Sequence, residues 1–341
     1  MIEPEMRRIK PKIVVFVLLL VLSLILSGWQ IINSQYLPVD CNDQSIVEVR
    51  LPENSSARQV AVLLKQNGLI RSERVFLGYL YQKGMEKQLK AGLYVFKRSQ
   101  SLPELVWQIS QGKVKSTSFT VPEGYMVRQI GELLINKQIC TQQQWTEALQ
   151  VSYDYEFLKP GKSGEERLEG FLFPDTYTID DQTSAQDIIN MMLQRFSAIW
   201  SHEYASVADS KQLQVRNTII IASLVEREAR VPEERERISG VIYNRLHKGM
   251  PLQIDATVLY SLGEHRDTVT YQDLEINSPY NTYKNVGLPP GPIASPGRAA
   301  IDAALNPETN SYYYYVAKGD GSHYFSSTYS EHLAAKKKYG L

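Results

Sequence analysis

From Ile13 to Ile32 the chain runs for 20 residues without a charge, and this run limits what everything after it can be. At about 1.5 Å per residue such a helix reaches across the roughly 30 Å hydrocarbon core of a bilayer. Trp29 stands where an interfacial aromatic would. Arg7, Arg8, Lys10 and Lys12 precede the run against only Glu3 and Glu5, so residues 1–12 are expected in the cytoplasm and the chain after residue 33 outside it. A cleaved signal peptide is the alternative, but its apolar core usually spans about 7 to 15 residues before a small-x-small site. Here the run is longer, and more apolar residues follow Ser27-Gly28-Trp29. Residues 13–32 therefore read as an uncleaved, single-pass anchor in the cytoplasmic (inner) membrane. No small-residue pattern ahead of Cys41 suggests lipidation.

The exported part has the make-up of a folded protein, with 43% hydrophobic and 22% charged residues over the chain and length enough for two or three domains. The 37 basic and 37 acidic residues become 33 and 35 once residues 1–12 are set aside, a balance of −2. A nucleic-acid partner is not expected, since the one late basic cluster, Lys336 to Lys338, is no stripe and fits a solvated helix end. The five His show no ligand spacing, so neither a metal nor another cofactor is expected. Cys41 and Cys140 lie in an oxidising compartment; their pairing stays open.

Residues 33–44 are polar, with a Pro, and read as a stalk. Ile46 to Leu51 alternates as a strand. Ser55-Ser56 and Ser72 then open two helices stopped by Asn67-Gly68 and Gly84, and Leu89 to Phe96 closes the unit as a second strand. A helix from Leu102 to Gly112 follows. This strand-helix-helix-strand order within residues 45–115 resembles the LysM module, which holds glycan rich in N-acetylglucosamine.

Residues 116–341 read as a mixed helical and β domain, giving an α+β chain overall. A strand and turn at Phe119 to Gly124 lead into a helix from Val127 to Leu134, and Thr141 to Trp200 is mainly helical. Two stretches interrupt it, Lys159 to Gly164 and Leu168-Glu-Gly-Phe-Leu-Phe-Pro-Asp-Thr-Tyr177. The second mixes turn residues, large apolar side chains and carboxylates, as a packed loop does. In the next helix, Thr218 to Arg230, Glu228 lies within roughly 60° of Ile221, Leu224 and Val225 and so belongs to the inward face. Glu226 turns outward, with Arg230 one turn on as a surface partner. A carboxyl on an apolar face resists ionisation and can donate a proton near neutral pH; the alternative is a buried Glu tied to an Arg or to backbone.

Pro232 opens a helix ended by Gly249, with Glu233 and Glu234 suited to its first turn. A helix from Ala256 to Leu262, a Pro- and Gly-rich wall from Pro279 to Gly297, a helix from Ala299 to Leu305, a strand from Tyr312 to Ala317 and a hairpin into His323 complete the chain. Twelve of the 21 Tyr fall from Tyr243 onward, which suits a sugar cleft and equally suits strands packed on helices. Tyr312 to Tyr315 read as strand, not site.

Five features in order carry a resemblance: the anchor, Leu168 to Tyr177, Ala222-Ser-Leu-Val-Glu-Arg-Glu228, Tyr280-Asn-Thr-Tyr283 and Gly287-Leu-Pro-Pro-Gly-Pro-Ile293. With the ending Gly319-Asp-Gly-Ser-His-Tyr-Phe-Ser326, the exported chain resembles the YceG-like family, the endolytic murein transglycosylases. The resemblance implies a LysM-like part ahead of a catalytic part, and a Glu of the helical motif as catalytic acid, which falls on Glu228. Ala229 stands where that family usually has Thr or Ser. The implied reaction cuts the N-acetylmuramic acid to N-acetylglucosamine bond within nascent peptidoglycan strands, leaves 1,6-anhydro ends and so could terminate strand growth. Glu169, Asn244, Asp255, Tyr280, Asn281, Thr282 and Tyr283, in the matching motifs, are candidates for holding the sugar. Two other functions stay open: a scaffold docking on glycan and on peptidoglycan synthases, and a hydrolytic muramidase with Asp255 or Glu169 as second carboxylate.

Overall fold

The computed structural model describes residues 11–158, 164–263 and 269–340; Lys159 to Ser163 of the first expected interruption lie outside them. The chain is mixed α+β, with three two-stranded sheets among the described residues. It divides into two compact units, Met1–Thr117 with Thr178–Gln182, and Ser118–Tyr177 with Thr183–Leu341.

The first unit begins with α1 (Pro11–Tyr36). Within it, Leu18–Tyr36 is the one stretch among the described residues long and apolar enough to cross a membrane. Its Leu18, Leu22, Ile25 and Trp29 are exposed on every side, with no protein surface to cover them. The unit continues through β1 (Ile46–Leu51), α2 (Ala57–Gln66), α3 (Glu73–Lys83), β2 (Gly92–Lys97) and α4 (Leu102–Gln111). β1 and β2 pair antiparallel, Ile46 opposite Lys97 and Leu51 opposite Gly92.

Local chemistry sets these boundaries. The Ser56 hydroxyl accepts from Gln59 N while the Gln59 side chain accepts from Ser56 N, a reciprocal cap that starts α2. Ser72 caps α3, and Gly84 ends it at φ 64°, a conformation that suits a residue without Cβ. Tyr94 and Phe96, two residues apart on β2, share its inner face and pack with Phe76, Leu80, Leu105 and Ile109. The buried Tyr94 hydroxyl shares its proton between the carbonyls of Lys90 and Ile109 and so is not stranded in this core.

The second sheet joins β3 (Ser116–Thr120) and β4 (Thr176–Asp180). Between them come α5 (Val127–Asn136), α6 (Gln142–Gln150) and the short α7 (Glu165–Leu168). The stretch from Leu168 to Tyr177 is the packed loop expected, except that Leu168 still belongs to α7 and its last two residues already belong to β4. Phe171 is fully buried, stacked on Phe157 and edge-on to Phe196 at 5.2 Å between ring centroids. Then come α8 (Ala185–Ile199), a π-helical turn, α9 (Ala205–Ser210), α10 (Val215–Glu228), α11 (Arg235–Lys248), α12 (Asp255–Leu262) and α13 (Arg298–Leu305). The hairpin of β5 (Tyr314–Ala317) and β6 (His323–Ser326) precedes α14 (Tyr329–Tyr339).

α10 is the centre of this unit, packed against α11, α12 and α13, with Ile219, Ile221, Leu224 and Val225 buried. Two of its polar residues, one turn apart, fasten the Pro- and Gly-rich wall. The buried Ser223 hydroxyl accepts from Ile293 N at 3.1 Å, and Glu226 accepts from Gly297 N at 2.9 Å. Between these points Ser295 exchanges two backbone hydrogen bonds of 2.8 Å with Gly124 and Tyr125. A segment this rich in Pro and Gly is ordered because its backbone groups find fixed partners.

Candidate active site

Glu228 is the last residue of α10, and Ala229 leaves the helix in an extended conformation ahead of Pro232. The carboxyl is partly buried and faces the β5–β6 hairpin, where the Tyr315 hydroxyl donates to its Oε2 at 2.9 Å. Burial raises the Glu228 pKa, and the negative charge of Asp255 adds to this; the Tyr315 hydrogen bond and the charges of His323 and Arg227 pull the other way without overcoming it. The carbonyl end of α10 also disfavours a carboxylate there. A carboxyl in this setting retains its proton to higher pH than a free Glu.

Asp255 is exposed at the first position of α12 and accepts from the Tyr283 hydroxyl at 2.5 Å. Tyr283 in turn senses both carboxylates, its pKa raised by burial and by Asp255 and Glu228. Glu228, Tyr315, Asp255 and Tyr283 therefore form one electrostatically coupled group with an exposed carboxylate on one side. Behind it lies Arg245 of α11, buried, whose guanidinium donates to the carbonyls of Tyr313 and Leu252 at 2.6 Å each. One cation thus holds the approach to Tyr315 and the approach to Asp255. The far strand is pinned by Glu234, which accepts from both the backbone N and the Nδ1 of His323. Glu234 is therefore a buried anchor for β6, where the sequence suggested only a charge at a helix start.

Glu226 departs from expectation. The helix stops at Glu228, so no i+4 pair with Arg230 can form, and the turn at Gly124 and the start of α13 cover this side of α10. Glu226 is partly buried and holds Gly297 N, its pKa raised by burial and by Glu123.

The remaining residues singled out in the sequence support this group from below. The Asn281 amide, fully buried, donates to the carbonyls of Leu274 and Ile276, while its oxygen accepts from Tyr283 N at 3.0 Å. The Thr282 hydroxyl accepts from Ile254 N at 3.0 Å and so ties the neighbour of Tyr283 to the start of α12. Asn244 donates to the carbonyls of Asn310 and Tyr312 at the entry to β5. Tyr280 is buried against Tyr260, ring centroids 4.8 Å apart.

Glu169 is 2% exposed and accepts from Val127 N at the start of α5. Burial raises its pKa from 4.5 to about 8. Between these values the unfolded chain releases a proton that the folded chain keeps, so this group lowers stability as pH climbs from 4.5 toward 8 and has no further effect above. Glu169→Gln is expected to gain stability over wild type by on the order of 3 kcal/mol between pH 5 and pH 8. Denaturant unfolding of both proteins at the two pH values measures it.

The YceG-like family model matches residues 49–338. The chain belongs to the YceG-like family. It is 37% identical over 315 residues to the endolytic murein transglycosylase of Bacillus subtilis (strain 168), covering 89% of this chain and 87% of that protein. It is 33% identical to the endolytic murein transglycosylase of Streptococcus pneumoniae serotype 2 (strain D39 / NCTC 7466), of which it spans 60%. A crystal structure of a yceG-like protein from Listeria monocytogenes aligns with a TM-score of 0.59 at 32% identity, covering 86% of this chain and all of that one.

Within this YceG-like chain, Tyr315, Arg245, His323 and Glu234 surround the candidate acid without any signal in the sequence that they meet there. Tyr315 lies in β5, the strand expected there, and its hydroxyl also reaches the Glu228 carboxyl. Its contact spans 87 positions along the chain, and a run of four Tyr gives no sign of which one reaches α10.

Proposed function

We propose that this chain is a membrane-anchored endolytic lytic transglycosylase that cuts the N-acetylmuramic acid to N-acetylglucosamine bond inside uncrosslinked peptidoglycan strands. The observation that carries the reading is a carboxyl with a raised pKa at the end of a buried helix, coupled to the exposed Asp255, in a chain whose relatives are named endolytic murein transglycosylases. Glu228 protonates the bridging oxygen, which departs with the bonding electron pair as positive charge develops at C1 of the muramyl residue. The ionised carboxyl then takes the proton of the muramyl C6 hydroxyl as that oxygen bonds to C1. The products are a 1,6-anhydro end and a new free hydroxyl, with no water consumed. A glycosidase that activates water or forms a covalent intermediate needs a second carboxylate; the internal nucleophile lets one Glu serve twice.

Asp255 and Tyr283 hold the sugar at the open side, while Asn281, Thr282, Asn244, Tyr280 and Glu169 fix the walls that carry them. α1 anchors the chain in the cytoplasmic membrane with the basic N-terminal residues inside. Residues 45–115, whose strand-helix-helix-strand order supports a LysM-like reading, engage glycan, and residues 116–341 cut it. Near the membrane the substrate is nascent strand, and cutting it ends elongation.

The test is the length distribution of labelled, uncrosslinked strands incubated with the full-length protein in detergent. Internal cutting yields mid-length fragments from the earliest times. Release of single disaccharides from strand ends, with long strands persisting, would contradict the endolytic assignment.

A further inference from the structure

In the β5–β6 hairpin Tyr315 donates to one named oxygen of Glu228, Oε2, at 2.9 Å. The hairpin that carries it has little freedom: Arg245 grips the Tyr313 carbonyl, Asn244 the Tyr312 carbonyl, and Glu234 holds His323 on the paired strand. The His323 ring lies edge-on to Tyr315 at 5.3 Å between centroids. The geometry points to Tyr315 as a positioning residue that keeps Oε2 of Glu228 an acceptor throughout the reaction, so that Oε1 both delivers and recovers the proton. This inference rests on the transglycosylase reading given above.

The chemistry makes such a lock useful. In the first step the O–H bond of Oε1 breaks toward the bridging oxygen and the C1–O bond breaks with its electron pair on the leaving sugar. In the second, the C6 oxygen bonds to C1 and its proton goes to Oε1, which restores the starting acid. Both transfers occur at one end of the carboxyl, which need not rotate between them, and the carboxylate present in the interval is stabilised by a donor already in place. Burial and the charge of Glu228 push the Tyr315 pKa well above its ordinary value, so the hydroxyl stays a donor. The other groups around Glu228 are Asp255 at the start of α12, His323 on β6, Arg227 on α10 itself, and beyond them Tyr283 and Arg245. Among the described residues, Tyr315 is the side chain that hydrogen-bonds to Glu228.

The experiment compares full-length wild type with Tyr315→Phe, which removes one oxygen and keeps the packed ring. Glu228 is followed by carbon-13 NMR of labelled Glu carboxyls, identified by its loss in Glu228→Gln, together with the pH profile of kcat/KM. Loss of a hydrogen bond to a charged group should raise the Glu228 titration midpoint by about one unit or more and lower kcat roughly 10- to 100-fold, with KM unchanged. In the Glu228→Gln background Tyr315→Phe adds no further loss, because the bond it breaks no longer serves proton transfer. An unmoved midpoint, or a wild-type kcat in an active Tyr315→Phe protein, overturns the assignment. A wild type that makes no anhydro ends would strike the proposed reaction instead, and the NMR midpoint would still decide Tyr315.

Discussion

Glu228→Gln is expected to lower kcat about 10²- to 10⁴-fold, the range over which a positioned general acid contributes. The substitution is close to isosteric, and its carbonyl oxygen can still accept from Tyr315, so the hairpin and α10 keep their contact. The protein should fold with an undiminished Tm and bind strands as the wild type does, which separates lost chemistry from lost structure. The wild type carries a matching signature in pH. Since burial raises the Glu228 pKa, its acid form, and with it kcat/KM, is lost as pH rises through that raised value, not through the ordinary carboxylate range. Kinetics of both proteins on purified strands, with unfolding curves alongside, measure this; substantial activity in the Gln protein would remove Glu228 from the role.

Gly170→Ala should have a large effect on stability. Gly170 sits at φ 84° in the loop before β4, where a side chain is strained, and an added Cβ would lie 2.4 Å from Pro292 Cβ and 3.0 Å from Ile219 Cγ2. The left-handed conformation costs about 1–2 kcal/mol and overpacking about 1–3 kcal/mol, so a loss of roughly 2–5 kcal/mol is expected. Because Pro292 belongs to the wall that Ser223 and Glu226 fasten to α10, the substitution should also reduce activity. Gly78→Ala is the control: it lies within α3 with nothing within 4 Å of the added Cβ. That change should be neutral or stabilise by about 0.4–1 kcal/mol. Urea unfolding of the three proteins tests both values.

Much of the molecule was legible because its signals are local. Ser56, Ser72 and Ser101 before their helices, and Gly84, Gly112 and Gly249 after theirs, mark boundaries within a residue or two of where they fall. The 3.6-residue period placed Glu228 among Ile221, Leu224 and Val225, the residues that are buried. Facial reasoning failed for Glu226 because it treated the far side of α10 as solvent, when the Gly124 turn and the wall before α13 cover it. The same limit hid Arg245, Tyr315 and the Glu234–His323 pair: what each touches depends on how distant segments fold together, which no short window of sequence records. Asn281 shows a third case, since an Asn beside an aromatic reads as a sugar ligand whether its amide faces a cleft or, as here, the carbonyls of its own loop.

Cys41 and Cys140 are both free thiols, the first exposed and the second buried.

In the proposed reaction Glu228 drives attack by the sugar's own C6 hydroxyl and not by water. Mass spectrometry of the new ends made by the full-length protein on uncrosslinked strands tests it most directly. The expected products are internal fragments ending in 1,6-anhydromuramic acid, lighter by one water than hydrolysed ends and absent with Glu228→Gln. Reducing muramyl ends of ordinary mass would contradict it and point to a hydrolase with a second carboxylate, Asp255 or Glu169.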